Sequence, residues 1–139
     1  PCTRGTAQND DIFFQASEAG NKYYDALPEI VVDYMNKVNA KIGSDYKPFN
    51  YYGAPDAEYV IVAMGSVCEC AEEVVDYLNA AGEKVGLVKV HLYRPFVPKY
   101  LVDVLPKTVK KISVLDRTRE PGSIGEPLYL DVLAALNGT

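Results

Sequence analysis

Residues 58–96, EYVIVAMGSVCECAEEVVDYLNAAGEKVGLVKVHLYRPF, limit the possible folds more than any other stretch. The apolar run Tyr59 to Met64 has no alternation, so it predicts a strand covered on both faces. Gly65 and Ser66 break the run. Ser66 with Glu69 three residues on makes a capping-box pattern, which predicts a helix start. Val67, Ala71, Val74, Val75 and Leu78 then recur at helical spacing, and Gly82 is a natural stop. A second β-branched run, Val85 to Leu92, follows at once. Strand, helix and strand with short links form a βαβ unit, whose strands lie parallel with a right-handed crossover.

Later residues extend that unit. Pro95 ends the second strand, and Pro98 opens a short helix through Tyr100, Leu101, Val104 and Leu105 that Pro106 halts. Lys111 to Asp116 reads as a third buried strand, Arg117 to Glu126 as a polar loop, and Pro127 to Leu136 as a last helix closed by Gly138. The pattern β-α-β-α-β-α predicts a three-layer α/β/α sandwich with a mainly parallel sheet. Residues 1–57 are less regular and read as an extension packing on a body of residues 58–139, together one domain. Asn9 or Asp10 caps a short helix through Phe13, Phe14 and Ala16. Pro28, at a first helical position, opens a separate amphipathic helix running to Ile42, with Gly43 closing it. Tyr46 to Tyr52 suggests an edge strand or an extended segment, because Pro48 lies among its aromatics.

Composition excludes several classes. No apolar run nears the ~20 residues that cross a bilayer, and the opening residues lack a signal-peptide pattern. A net charge of −5 argues against nucleic acid as the main partner. Three cysteines are an odd number, and Cys68 and Cys70 stand too close on a helix to bridge, so a reducing cytoplasm is the expected compartment. The chain opens at Pro1, and we read it as a piece of something longer.

Chemistry-bearing motifs are few. Between the first core strand and its helix, Gly65-Ser66-Val67-Cys68-Glu69 lacks both GxGxxG and the Walker pattern, and its glutamate would repel a phosphate. Cys68 and Cys70 point to different sides of a helix, so packing is favoured over a metal or redox role. His91, the one histidine, has no nucleophile motif to serve and reads as structural. In such a sheet, ligands gather beyond the carboxyl ends of the strands, here Gly65–Ser66, Tyr93–Phe96 and Asp116–Gly125, which should form one rim. In the last of these, Arg117, Arg119 and Glu120 lead into Pro121-Gly122-Ser123-Ile124-Gly125 before a helix start. Its backbone N–H groups suit an anion or acidic group. Equally, the glycines only make the turn and the arginines are solvated, or the loop is an interdomain contact.

The blocks RGTAQN, FFQ, YYGAPDAEYVIVAMGS, DYLNAAGEKVG, VHLYRPF and DRTREPGSIGEPLYLDV closely resemble one region of pyruvate:ferredoxin (or flavodoxin) oxidoreductases. That region is the second core domain, similar to the C-terminal domain of transketolase-type enzymes. The resemblance covers nearly the whole chain. It implies a large parent enzyme that oxidatively decarboxylates pyruvate and joins the acetyl unit to coenzyme A. Other domains would hold thiamine diphosphate, magnesium and iron–sulfur clusters, and electrons would pass to ferredoxin or flavodoxin. It further implies a homodimeric parent and a scaffolding role for this chain, with no catalytic residue, cofactor or metal of its own. Arg4, Thr6, Arg119, Glu120, Gly122, Ser123 and Gly125 are then the expected interdomain or anion contacts. Two departures stand out. The sheet is expected to be short of its last strand, which would leave an edge open to pairing. Cys68-Glu69-Cys70 also replaces the small residues expected after the first strand. A stand-alone module binding an anion or coenzyme A at the same rim is the alternative, and a redox protein built on Cys68 a third reading.

Overall fold

The computed structural model describes residues 8–137. Its elements in chain order are α1 (Asp10–Ile42), β1 (Phe49–Gly53), β2 (Tyr59–Ala63), α2 (Val67–Ala80), β3 (Val85–Val90), α3 (Pro98–Val104), β4 (Lys111–Val114) and α4 (Pro127–Asn137). The four strands form one sheet in the order β1-β3-β2-β4. β2 pairs parallel with β3 (Val60 opposite Gly86) and with β4 (Val60 opposite Ile112), whereas β1 runs antiparallel along the outer side of β3. This is the expected α/β architecture, with an antiparallel edge strand added.

Side-chain alternation along β2 separates two cores. Val60 and Val62 face one way and join Phe49, Val88, Val90, Leu101, Leu128 and Val132, so α3 and α4 cover that face. Ala63, on the other face, joins Leu87 and the α2 residues Cys68, Ala71 and Val75. A helix layer therefore lies on each side of the sheet, and the apolar run in β2 is explained by burial from both. α2 ends in a Schellman arrangement: Gly82 N–H donates to the Asn79 carbonyl and Glu83 N–H to that of Leu78, both at 3.0 Å. Among the described residues, no helix is long and apolar enough to cross a membrane.

Four expectations need correction. The two N-terminal helices are one, since α1 runs for 33 residues with Pro28 inside it. An interior proline removes a helical hydrogen bond and crowds the preceding turn, which is why the sequence favours a first-turn position, yet its fixed φ is compatible with the continuous helix. The capping box does not form, because Ser66 is itself helical (φ −62°, ψ −19°) and its side chain makes no cap bond. The turn is made instead at Gly65, whose φ of 77° is left-handed and whose carbonyl accepts from Cys68 N–H at 3.1 Å. The inward face of α2 is centred on Cys68, Ala71 and Val75, which leaves Val74 exposed. β4, expected to be buried, is an edge strand whose Lys111 and Ser113 face solvent while Ile112 and Val114 are half-buried.

Candidate functional site

The parallel strands end together at one edge of the sheet. From β2 the chain turns into α2 on one face, while from β4 it leads to α4 on the other, so the connections diverge and open a crevice. It has a volume of about 410 Å³ and is lined by Met64, Ser66, Val67, Leu115, Asp116, Arg117 and Thr118. The structure thus joins Ser66 to Asp116–Thr118.

Asp116 organises this end. Its Oδ1 accepts from Thr118 N–H and its Oδ2 from Leu128 N–H, both at 2.9 Å. The cap of α4 therefore comes from the end of β4, across the whole intervening loop. Within that loop, the Glu126 carboxylate accepts from Glu120 N–H at 2.8 Å, and Ser123 N–H donates to the Glu120 carbonyl at 3.1 Å. Ser123 Oγ donates to the Gly125 carbonyl at 2.6 Å and accepts a longer bond, 3.4 Å, from Gly125 N–H. The N–H groups of Glu120, Ser123 and Gly125, three of the donors on which an anion reading would rest, are thus engaged by the chain's own oxygens. Glu120, Gly122, Ser123 and Arg119 are exposed, Gly125 is half-buried, and Ile124 at the loop's tip is 94% exposed. Arg4 and Thr6 lie outside the described residues.

At the end of β3, Tyr93 and Arg94 are tied to α4. The Arg94 guanidinium stacks 4.0 Å from the Tyr93 ring centre, donates to the Tyr93 carbonyl and hydroxyl at 3.1 Å, and pairs with Asp131 at 2.7 Å. Burial first, and then the Asp131 carboxylate, push the Tyr93 phenol above its ordinary range. Sequence reasoning did not single out Arg94 or Asp131. The available signal was that Asp131 is the one charged residue within α4.

The remaining candidates have no partner in chemistry. Cys68 is buried in the α2 core, where burial pushes its thiol up, against thiolate reactivity. Cys70 faces solvent. His91 packs edge-on against Tyr46, with ring centres 5.5 Å apart. Among the described residues, no group of three or more His, Cys, Asp or Glu is placed to hold a metal ion.

Fold and rim together define a doubly wound α/β domain whose ligand edge is finished with its own carboxylates instead of a phosphate-binding loop. Comparison with known proteins makes this specific. The family model for pyruvate:ferredoxin oxidoreductase core domain II matches residues 57–139, and the chain belongs to that family. It is 63% identical over 135 residues, 97% of its length, to a pyruvate-flavodoxin oxidoreductase of Enterobacter agglomerans. It is 59% identical over 136 residues (98% of the chain) to the pyruvate:ferredoxin oxidoreductase of Moorella thermoacetica. A probable pyruvate-flavodoxin oxidoreductase of Escherichia coli K12 is 53% identical over 136 residues, again 98% of the chain. The chain spans 12% of the length of each of these relatives.

Proposed function

We propose that the chain serves as a structural core domain of an enzyme that oxidatively decarboxylates pyruvate to acetyl-CoA and passes electrons to ferredoxin or flavodoxin. The observation that carries this reading is the 63% identity over 97% of the chain to a relative named as a pyruvate-flavodoxin oxidoreductase. Thiamine diphosphate, magnesium and iron–sulfur clusters belong to other parts of the enzyme, which is cytoplasmic and homodimeric. The domain's work is to hold neighbouring domains in register. Arg4, Thr6 and the loop residues Arg119, Glu120, Gly122, Ser123 and Gly125 make the contact. The loop suits that task because it is internally braced yet presents the almost fully exposed Ile124 at its tip. Residues 1–57 form the extension that leads into the body.

The test is the size of the native protein in lysate of the source cells, detected with antibody raised against this chain. The expected band lies far above 15.3 kDa and co-fractionates with pyruvate-dependent reduction of a low-potential dye. A band near 15.3 kDa would overturn the reading.

A further inference from the structure

Residues 43–48 join α1 to β1 without helix or strand, and residues 45–47 are exposed, so burial does not fix their backbone. Such a connector is where a chain ordinarily bends. Here two asparagine side chains take the place of a ladder. From α1, Asn39 Oδ1 accepts from Tyr46 N–H and from the Ser44 hydroxyl, both at 2.8 Å, while Asn39 Nδ2 donates to the Tyr46 carbonyl at 2.9 Å. One side-chain amide thus grips both backbone groups of Tyr46, as a residue opposite it in an antiparallel pair would. From β1, Asn50 Oδ1 accepts from Lys47 N–H at 2.9 Å and Asn50 Nδ2 donates to the Asp45 carbonyl at 2.6 Å. The two grips interleave, Asn39 on residues 44 and 46 and Asn50 on residues 45 and 47. At the far end, the Pro48 carbonyl accepts from His91 N–H at 2.9 Å and from Leu92 N–H at 3.1 Å, the first residues past β3.

We propose that residues 43–48 are a rigid strut, which makes the C-terminal turns of α1 and the sheet one mechanical body. That body starts at Asn39, well upstream of residue 57, where the family match begins. A displacement of α1 is passed through the strut to β1 and to His91 and Leu92. These stand next to Arg94, which is tied to α4 through Asp131. A flexible tether would absorb the same displacement. The side-chain chemistry is specific to the task. Aspartate at position 39 would accept from Tyr46 N–H but could not donate to its carbonyl, and alanine would do neither. The strut is a property of this chain's own bonds, and rests neither on the enzymatic reading nor on what covers α1.

Amide hydrogen exchange followed by NMR on the 139-residue chain tests it. The amides of Tyr46 and Lys47 should exchange roughly a hundredfold more slowly than in an unstructured peptide, although both residues are exposed. Asn39→Ala should speed the Tyr46 amide about tenfold or more and leave the β2 amides of Val60 and Val62 unchanged. Alanine favours helix over asparagine, so the effect will not come from unwinding α1. Asn39→Asp keeps the acceptor and should restore protection at Tyr46. Asn50→Ala should release Lys47 in the same way. The angle itself is read by electron spin resonance between nitroxides on exposed Cys70 and on Lys37→Cys, in a chain that also carries Cys2→Ser. One narrow distance distribution is expected, broadening about twofold or more when Asn39→Ala and Asn50→Ala are combined. Exchange at the unstructured rate in the starting chain would overturn the proposal. So would a Tyr46 amide indifferent to Asn39→Ala or not rescued by Asn39→Asp, or a distribution equally narrow in the double variant. None of these outcomes touches the domain assignment, which the lysate test decides.

Discussion

Removing the Asp116 carboxylate tests the most consequential contact in the structure. Its two oxygens hold the start of the loop at Thr118 and the start of α4 at Leu128, each at 2.9 Å. A hydrogen bond to a charged group contributes roughly 1.5–3 kcal/mol. Asp116 is only half-buried, so the lower figure applies to each bond, and Asp116→Ala should cost about 3 kcal/mol. Asp116→Asn keeps one acceptor and should cost about half of that. The loss spreads to the whole body because α4 contributes Leu128, Val132 and Ala135 to the larger core. Urea unfolding followed by far-ultraviolet circular dichroism reads the effect directly. With a slope of about 1.5 kcal/mol/M, the midpoint should fall by roughly 2 M for alanine and 1 M for asparagine, the slope itself unchanged. A fall of less than about 0.3 M for alanine would refute the argument that this carboxylate fastens α4 to the sheet.

Three further outcomes follow from the geometry. Gly53→Ala should destabilise by about 3 kcal/mol in the same assay, because the residue has a left-handed φ and its new Cβ would sit 2.7 Å from the Val85 carbonyl oxygen. An unchanged midpoint would disprove the close approach of β1 to β3. With iodoacetamide at neutral pH, Cys70 should be modified rapidly and Cys68 only once the chain unfolds, as peptide mass mapping would reveal. Equal rates would contradict the packing of α2. The Lys84 ammonium beside Asp56 holds that carboxyl below its ordinary range. Its contribution is therefore present above the usual carboxylate pKa and lost as pH falls through the lowered value. Asp56→Asn should show a small melting-temperature deficit at pH 7 that closes in acid and in high salt, since the pair is exposed. A deficit independent of pH would assign the effect to something other than charge.

The parallel part of the sheet was legible because β2 is an unbroken apolar run and β3 and β4 are rich in β-branched residues, and short-range pattern is enough to read them. β1 was legible too, since Pro48 marks an edge. Phase and partnership were not. Cys68 displaced Val74 from the inner face of α2 because the left-handed turn at Gly65 sets where the helix begins, and a capping pattern carries no information on that rotation. Pro28 was read as a start because an interior proline forfeits a helical hydrogen bond, a cost that α1 accepts. Two of the three strand ends read as one rim, at Ser66 and at Asp116, share a crevice, whereas Tyr93–Phe96 does not line it. The wiring of these ends was hidden, because Asp116 to Leu128 and Arg94 to Asp131 are contacts between residues far apart in sequence. Only the topology brings them together.

The antiparallel placement of β1 also sets a clock for synthesis. Among the described residues, β1 pairs with β3 alone, with Phe49 opposite Val90 and Gly53 opposite Gly86. It leaves the ribosome roughly 40 residues ahead of the strand it needs, a delay of several seconds at about 5–20 residues per second. During that interval the aromatic run Phe49-Asn50-Tyr51-Tyr52 is without the strand it pairs with. Nascent chains arrested before β3 should therefore be the species most prone to capture by chaperones, and those released after it the first to resist a protease.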